Sequence, residues 1–178
     1  MKKKLTCALL AAVMALALAA CGGPGGQESE SPAPRNLVGF TFDVPEGFTV
    51  SADNGQLWLA PGYPADTSNI TVTTAEYDKL FDTYTREMLE AVVNSLLSEA
   101  ADQEVAVVSD SFERTTLDGV DAIRYRYHLD LYGTALRQEI VAVNGANMGY
   151  TFTFTQADTA DWDDAYNACV DSIRFTLG

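Results

Sequence analysis

The chain has 178 residues, of which 11 are Lys or Arg and 25 are Asp or Glu, giving a formal net charge of −14. A hydrophobic content of 47% and a charged content of 20% are typical of a globular protein, and this length favours one domain. The acidic balance argues against nucleic acid as a partner, because phosphates attract basic patches. It also argues against adhesion to anionic lipid through a basic surface.

The first twenty residues have the features of an export signal. Three lysines at positions 2–4 precede the run 5–20, which contains no charged residue. That run is shorter than the ~20 apolar residues of a membrane-spanning helix, and it matches the apolar region of a signal peptide. Residues 1–20 are therefore predicted to be a signal peptide, and an extracytoplasmic location is expected.

A short motif at the end of this segment resembles the lipobox of bacterial lipoproteins. It reads Leu18-Ala19-Ala20-Cys21. The resemblance implies cleavage between Ala20 and Cys21, after the sulfur of Cys21 has received a diacylglyceryl group. Two acyl chains suffice for stable attachment, so lipid on Cys21 is expected to anchor the protein to the cell membrane, or to the outer membrane of a diderm host. The alternative is an ordinary secretory signal with an incidental cysteine.

The stretch that follows Cys21 is predicted to be a tether. Residues 22–35 are rich in Gly, Pro and Ser and contain no large apolar side chain. Such a segment cannot form a hydrophobic core. The chain therefore divides into a signal peptide over 1–20, a lipidated cysteine with a flexible tether over 21–35, and a single domain over 36–178.

The domain begins with short strand patterns and one long helical pattern. Alternating apolar and β-branched residues predict strands over 40–45, 48–50, 56–59 and 69–73. Apolar residues that recur every three or four positions predict a helix over 78–101. The sequence Thr73-Thr74-Ala75-Glu76 has the form of a capping box that would start this helix earlier.

Two turn motifs predict hairpins in the middle of the domain. Asp118-Gly119 and Tyr132-Gly133 each place glycine at a position that favours a two-residue turn. The resulting registers bring opposite charges together and apolar groups together. The expected pairs are Leu117 with Val120, Glu113 with Arg124, Phe112 with Tyr125, Leu131 with Thr134, Arg126 with Glu139, Leu129 with Leu136, and Tyr125 with Ile140.

A third turn, over 144–147, predicts how the two faces of this sheet are composed. An even-length loop places Val141, Val143, Tyr150 and Phe152 on the face of Arg124 and Arg126, with Tyr125, Leu129, Leu136 and Ile140 opposite. Both faces are then apolar, and each must be covered. The predicted fold class is α+β, with a largely antiparallel sheet covered by helices on both faces.

A final helix is predicted over 160–172. Its apolar stripe includes Tyr166 and Cys169, so a buried, unreactive thiol is favoured over a reactive one. Asp158 is the candidate N-cap of this helix. Asp161, Asp163 and Asp164 lie near its positive end, and this aspartate cluster lacks the spacing of an EF-hand, so no metal site is predicted.

The order of elements and several local patterns resemble the PsbP-like α-β-α sandwich. These patterns are Phe40-x-Phe42-x-Val44-Pro45-x-Gly47-Phe48, Leu117-Asp118-Gly119-Val120-Asp121-Ala122 and Ser172-Ile173-Arg174-Phe175. The family includes photosystem accessory proteins and many extracytoplasmic bacterial lipoproteins, and its better-known members dock onto larger assemblies. The resemblance implies a fold and a docking role, and it implies no catalytic residue.

The candidate ligand-binding residues are Arg124, Arg126 and His128, which alternate along one strand. Two guanidinium groups on one face could hold an anion, whereas the alternative is pairing with Glu113 and Glu139 across the strands. His128 is the one histidine of the chain, which excludes a zinc site with two or three histidine ligands. In the predicted register it faces Arg137, which is a poor setting for a general base paired with a carboxylate.

Three function classes follow, in order of preference. The first is a membrane-anchored extracytoplasmic lipoprotein that acts as a non-catalytic interaction or accessory module with an unidentified protein partner. The second is a lipoprotein that binds a small ligand or a cation. The third is a surface hydrolase, disfavoured because no Gly-x-Ser-x-Gly elbow or nucleophile–base pair is evident. No catalytic residue, cofactor or nucleic-acid partner is predicted.

Overall fold

The computed structural model describes residues 35–52, 54 and 56–178. The predicted signal peptide, the lipidation site at Cys21 and nearly all of the tether lie outside the described residues. Within the described part the strands and α-helices follow in this order: β1 (Leu37–Thr41), β2 (Thr49–Val50), β3 (Leu57–Leu59), β4 (Asn69–Glu76), α1 (Arg86–Ala101), β5 (Val108–Leu117), β6 (Val120–Leu131), β7 (Thr134–Asn144), β8 (Met148–Ala157), α2 (Asp163–Asp171) and β9 (Arg174–Leu177).

Two antiparallel sheets organise these strands. The larger sheet has seven strands in the order β2-β3-β4-β8-β7-β6-β5, and every neighbouring pair in it is antiparallel. The smaller sheet pairs β1 with β9. The prediction of a mixed, largely antiparallel fold is therefore confirmed.

Both predicted hairpins are present in the predicted register. Asp118 and Gly119 have φ values of +49° and +74°, and Tyr132 and Gly133 have φ values of +55° and +77°. Positive φ at both central residues suits the twist of the flanking strands. The pairs predicted between β5, β6 and β7 are all observed, including Glu113 with Arg124, Phe112 with Tyr125, Arg126 with Glu139, and Leu129 with Leu136.

The start of α1 differs from the prediction. The helical pattern over 78–101 resolves into a 3₁₀ turn over Phe81–Thr83 and a helix that begins at Arg86. Thr85 is its N-cap, and its side chain accepts a hydrogen bond from the Met88 N–H at 3.3 Å. The capping box over 73–76 is wrong, because all eight residues of β4 pair with β8. The long-range pairing thus overrides the local signal.

The start of α2 also differs from the prediction. Its N-cap is Trp162, which makes no side-chain cap, so the assignment of Asp158 as N-cap is wrong. The chain turns at the end of β8 instead, where the Asp158 N–H donates to the Ala135 carbonyl at 3.0 Å. The Trp162 N–H donates to Gln156 Oε1 at 2.6 Å.

The buried apolar side chains form two clusters. Along the central strands, alternate residues belong to different clusters. The α2 core contains the buried stripe of α2 together with Val120, Ala122, Val141, Val143, Tyr150 and Phe152. The α1 core contains the buried stripe of α1 together with Ile123, Tyr125, Tyr127, Leu129, Leu136 and Ile140. The predicted division of the apolar residues into two sets is therefore confirmed.

Candidate functional site

Two of the three predicted ligand-binding residues are brought together around one carboxylate. Arg124 Nε donates to Glu139 Oε1 at 2.6 Å, and Arg126 Nε donates to Glu139 Oε2 at 3.0 Å. The Glu139 side chain is only 9% exposed. The Nη2 atoms of both arginines donate to Asn167 Oδ1 on α2, at 3.1 and 2.6 Å respectively. This cluster therefore joins β6, β7 and α2.

The carboxylate partner of Arg124 differs from the one that its closest register pair predicts. Glu113 stands opposite Arg124 across β5 and β6, yet the ion pair that the structure shows for Arg124 is with Glu139. Glu113 is exposed on the edge strand, where a charge pair gains little over water. Glu139 is shielded on β7, where both arginines can share it. The alternative of cross-strand pairing thus holds for Glu139 and not for Glu113.

His128 is turned to a different partner. It faces Arg137 in the register, as predicted, but its Nδ1 lies 2.8 Å from Asp110 Oδ1. The register partner alone therefore did not predict the carboxylate that His128 contacts. Asp110 lies in an irregularity of β5 between Ser109 and Ser111, which the strand pattern did not reveal. Both side chains are about half exposed, so this pair contributes little to stability.

A cavity of about 260 Å³ lies beside Arg126. Arg137 and Asp163 also line it, and they are joined to each other by a hydrogen bond of 2.8 Å from Arg137 Nη1. Arg137 Nη2 donates to the Ala160 carbonyl at 3.2 Å, so this arginine fastens the start of α2 to β7. The polar groups of this cavity are therefore largely occupied by one another.

A larger cavity of about 470 Å³ lies in the α1 core, and no sequence pattern predicted it. It is bordered by α1, by the sheet and by the segment 74–84. Its volume falls within the range of ~300–1,000 Å³ that is usual for small-molecule sites. Its lining residues are Thr74, Ala75, Glu76, Tyr77, Asp78, Phe81, Tyr84, Leu89, Val93, Ile123, Ile140, Ala142, Val143, Asn144, Gly149, Tyr150 and Thr151.

Asp78 holds the segment that borders this cavity. Asn144 Oδ1 accepts from the Asp78 N–H at 3.0 Å, and Asn144 Nδ2 donates to the Asp78 carbonyl at 2.9 Å. Asp78 Oδ1 accepts from the Leu80 N–H at 2.8 Å, and the Tyr84 hydroxyl donates to Asp78 Oδ2. Burial, and then the neighbouring Asp78 carboxylate, raises the pKa of Tyr84. The phenol therefore stays protonated and remains a donor to Asp78.

An arginine on β5 provides a second attachment for the same segment. Arg114 Nη2 donates to the Phe81 carbonyl at 3.1 Å and to the Tyr84 carbonyl at 2.7 Å. Phe81 is the first residue of the 3₁₀ turn and Tyr84 is the residue that follows it, shortly before α1 begins. The border of the cavity is therefore fixed from the sheet side by Asn144 and from the edge strand by Arg114.

Cys169 lies in the opposite core and is 1% exposed, which confirms the predicted burial. Burial, and then the charge of Asp43, raises the pKa of this thiol to about 12. A thiol that stays protonated is a poor nucleophile and a poor metal ligand. Among the residues with described positions, no three His, Cys, Asp or Glu side chains are grouped so that they could hold a metal ion.

Comparisons with known proteins place the fold. No protein-family model and no curated protein matches the chain. The solution structure of cyanobacterial PsbP (CyanoP) from Synechocystis matches with a TM-score of 0.58 and 16% identity, over 89% of this chain and 99% of that one. LpqN, involved in cell envelope biogenesis of Mycobacterium tuberculosis, matches with a TM-score of 0.52 and 15% identity, over 82% and 87%. At these identities the likeness shows a shared, PsbP-like fold.

Proposed function

We propose that the protein is a lipoprotein, anchored outside the cytoplasm through lipid on Cys21, whose domain is a non-catalytic interaction module. The observation that carries this proposal is that the candidate ligand-binding arginines are bound to other side chains of the domain. Arg124, Arg126 and Glu139 are bound to one another and to Asn167, so they hold the fold together. Their hydrogen-bonding groups are largely taken up by one another, although Arg126 and Glu139 also line the cavity of about 260 Å³.

The domain of this lipoprotein is an α-β-α sandwich. The two cores support that arrangement, because alternate residues of β6 and β7 point to opposite faces of the sheet. The buried residues of α1 belong to one core and those of α2 to the other. A rigid body of this kind, joined to a membrane by a flexible tether, can reach a partner in the envelope without entering the bilayer.

The sequence at the start of the chain supports the extracytoplasmic location. The segment 1–20 has the order of charge, apolar run, small residues and cysteine that export and lipidation require. No helix in the described part of the chain is long and apolar enough to span a membrane. The likeness to LpqN, which is involved in cell envelope biogenesis, is a likeness of fold.

The test is crosslinking of the full chain in its native membrane, followed by mass spectrometry of the proteins that co-purify. We expect one abundant and reproducible partner that is lost in the Cys21→Ser variant, because that variant removes the proposed lipid site. A scatter of abundant surface proteins, unchanged by Cys21→Ser, would contradict the proposal. Catalytic turnover that disappears when one polar cluster is mutated would contradict it as well.

A lipoprotein that binds a small ligand or a cation is the second candidate function. The observation that favours it is the side chain of Arg126, which is 44% exposed and lines the 260 Å³ cavity. Its test is a thermal-shift screen of the full chain with phosphate, citrate and Ca²⁺, since a ligand of the folded state raises the melting temperature. Stabilisation by an anion that is lost in Arg126→Gln would support this candidate, and no shift with any of the three would reject it.

A further inference from the structure

The cavity in the α1 core has an apolar body. Leu89 and Val93 border it from α1, and Ile123, Ile140 and Ala142 border it from the sheet. Apart from Ala142, these side chains are at most 7% exposed. A space of about 470 Å³ with such walls gains free energy when an apolar group replaces the water in it.

The charged residues that line this cavity all have one sign. Glu76 and Asp78 line it, whereas none of the described lining residues is Lys, Arg or His. Lys79 belongs to the bordering segment but is exposed and does not line the cavity. Arg114 contacts the same segment, and its Nη2 is already bound to two backbone carbonyls. The whole chain also carries a formal charge of −14. An anionic head group would therefore be repelled here, and a cationic one attracted.

The acidic groups are acceptors that are held in place. The two oxygens of Asp78 are aligned by the Leu80 N–H and the Tyr84 hydroxyl, and each oxygen has further accepting capacity. Glu76 ends β4 and is exposed. A protonated amine has three donors and no acceptor, so it is complementary to two carboxylates. We propose that this cavity binds a small molecule with an apolar body and a protonated amine head, the body among the aliphatic side chains and the amine at Glu76 and Asp78.

This site exists before any ligand binds. The Asn144 side chain hydrogen-bonds to the N–H and to the carbonyl of Asp78. Arg114 donates to the carbonyls of Phe81 and Tyr84. A preformed site loses less conformational entropy on binding than one that must be ordered by its ligand. The proposal does not depend on the interaction-module function, because the cavity and the Arg124–Arg126 cluster share no residue.

The test compares three probes with the same apolar body: phenylpropylamine, phenylpropanol and phenylpropanoate. Each is titrated calorimetrically into the full chain in lipid nanodiscs, and the heats of titration into empty nanodiscs are subtracted. We expect saturable binding in which the amine is about five-fold tighter than the alcohol and the carboxylate is the weakest. Raised salt should narrow the difference between amine and alcohol. The absence of saturable binding by the amine, or equal affinity for all three probes, overturns the proposal.

Two variants of β7 locate the binding. Ala142→Phe places a ring in the cavity and should abolish binding of the amine. Ala135→Phe is the matched control, because Ala135 is exposed on the same strand and does not line the cavity. Unchanged binding in Ala142→Phe would overturn the assignment. Methyl NMR of the unmutated chain gives an independent readout, since amine binding should shift the signals of Ile123 and Ile140 and leave that of Ile70, in the other core, in place.

A third variant tests the head group. Glu76→Gln keeps the shape of the side chain and removes its charge, so the preference for phenylpropylamine over phenylpropanol should fall while the affinity for phenylpropanol stays the same. A preference that is unchanged in Glu76→Gln, and also in Asp78→Asn, would overturn the role of the carboxylates.

Discussion

The two faces of the large sheet are filled in different ways. In the α2 core, aromatic rings pack edge to face. The centroid of the Phe40 ring lies 4.9 Å from that of Tyr150 and 5.1 Å from that of Phe152. The centroids of the Phe48 and Trp162 rings are 4.9 Å apart. The α1 core is largely aliphatic, and it contains the cavity of about 470 Å³.

The difference follows from what covers each face. The α2 core receives side chains from α2, β1 and β9, and large rings close the remaining gaps. The α1 core receives side chains from α1 and from the short turn over Phe81–Thr83. The chain that follows β4 does not continue directly into α1. The covering of the α1 core by these elements is incomplete, and the cavity of about 470 Å³ is the space that they leave.

The largest expected effect compares the same change in the two cores. Ile70→Ala, in the α2 core, should lower the free energy of unfolding by ~4 kcal/mol, because Ile70 is fully buried and its neighbours cannot collapse into the gap. Ile140→Ala, beside the cavity, should cost only ~2 kcal/mol, because one side of Ile140 already borders empty space. Urea unfolding measures both values. A larger loss for Ile140→Ala than for Ile70→Ala would remove the contrast between the cores.

The second prediction concerns the polar cluster of Arg124, Arg126 and Glu139. Glu139→Gln leaves Arg124 and Arg126 without their shared carboxylate and should cost about 2 kcal/mol of unfolding free energy. Glu113→Gln is the matched control, because Glu113 also stands opposite Arg124 but is exposed, and it should change stability by less than ~0.5 kcal/mol. Equal losses in the two variants would mean that Glu139 has no special part in joining β6, β7 and α2.

The third prediction compares the same enlargement of an alanine in the two cores, at Ala122 on β6 and at Ala142 on β7. Ala122→Leu overpacks the α2 core, where Ala122 is 2% exposed, and should cost ~1–3 kcal/mol. Ala142→Leu enters the cavity and should change the unfolding free energy by less than ~0.5 kcal/mol. Thermal unfolding of both variants measures the difference. If Ala142→Leu were as destabilising as Ala122→Leu, the cavity would not be free to accept a group of this size.

The fourth prediction tests the turn that sets which side chains reach which face. Gly119 has a φ of +74°, so Gly119→Val should destabilise the domain by ~1 kcal/mol or more. Thr116→Val, at an exposed site on the same hairpin, is the control and should have little effect. A melting temperature that Gly119→Val leaves unchanged would refute the turn assignment.

The last prediction is a pH dependence from the α2 core. The pKa of Cys169 is raised from 9.0 to about 12 by burial, so over this range the unfolded chain binds fewer protons than the folded chain. The contribution of this thiol to stability is therefore complete below pH 9 and is lost as the pH rises toward 12. Cys169→Ala should show a shallower fall in unfolding free energy between pH 9 and 11. Identical slopes would show that the thiol does not titrate differently in the two states.

Local turn chemistry explains why much of the sheet was predictable. A two-residue turn leaves no freedom of register, so Asp118-Gly119 decided the pairs of β5 and β6 from the turn to Ser111, and Tyr132-Gly133 decided those of β6 and β7. The irregularity at Asp110 shifts the remaining pairs of β5. Strand alternation then decided which side chains share a face. The charge partner of Arg124 was not decided in this way, because Glu113 and Glu139 both lie within reach and only the position of α2 makes one of them shielded.

The sequence by itself determined the hairpin registers, the composition of the two faces and the burial of Cys169, because these depend on neighbours along the chain and on a period of two or 3.6 residues. Only the tertiary structure decided that Thr73–Glu76 extends a strand, that His128 meets Asp110, and that α1 begins at Arg86. The cavity belongs to this second group. It results from the way in which a helix, a turn and a sheet meet, and no local pattern along the chain records the volume left between them.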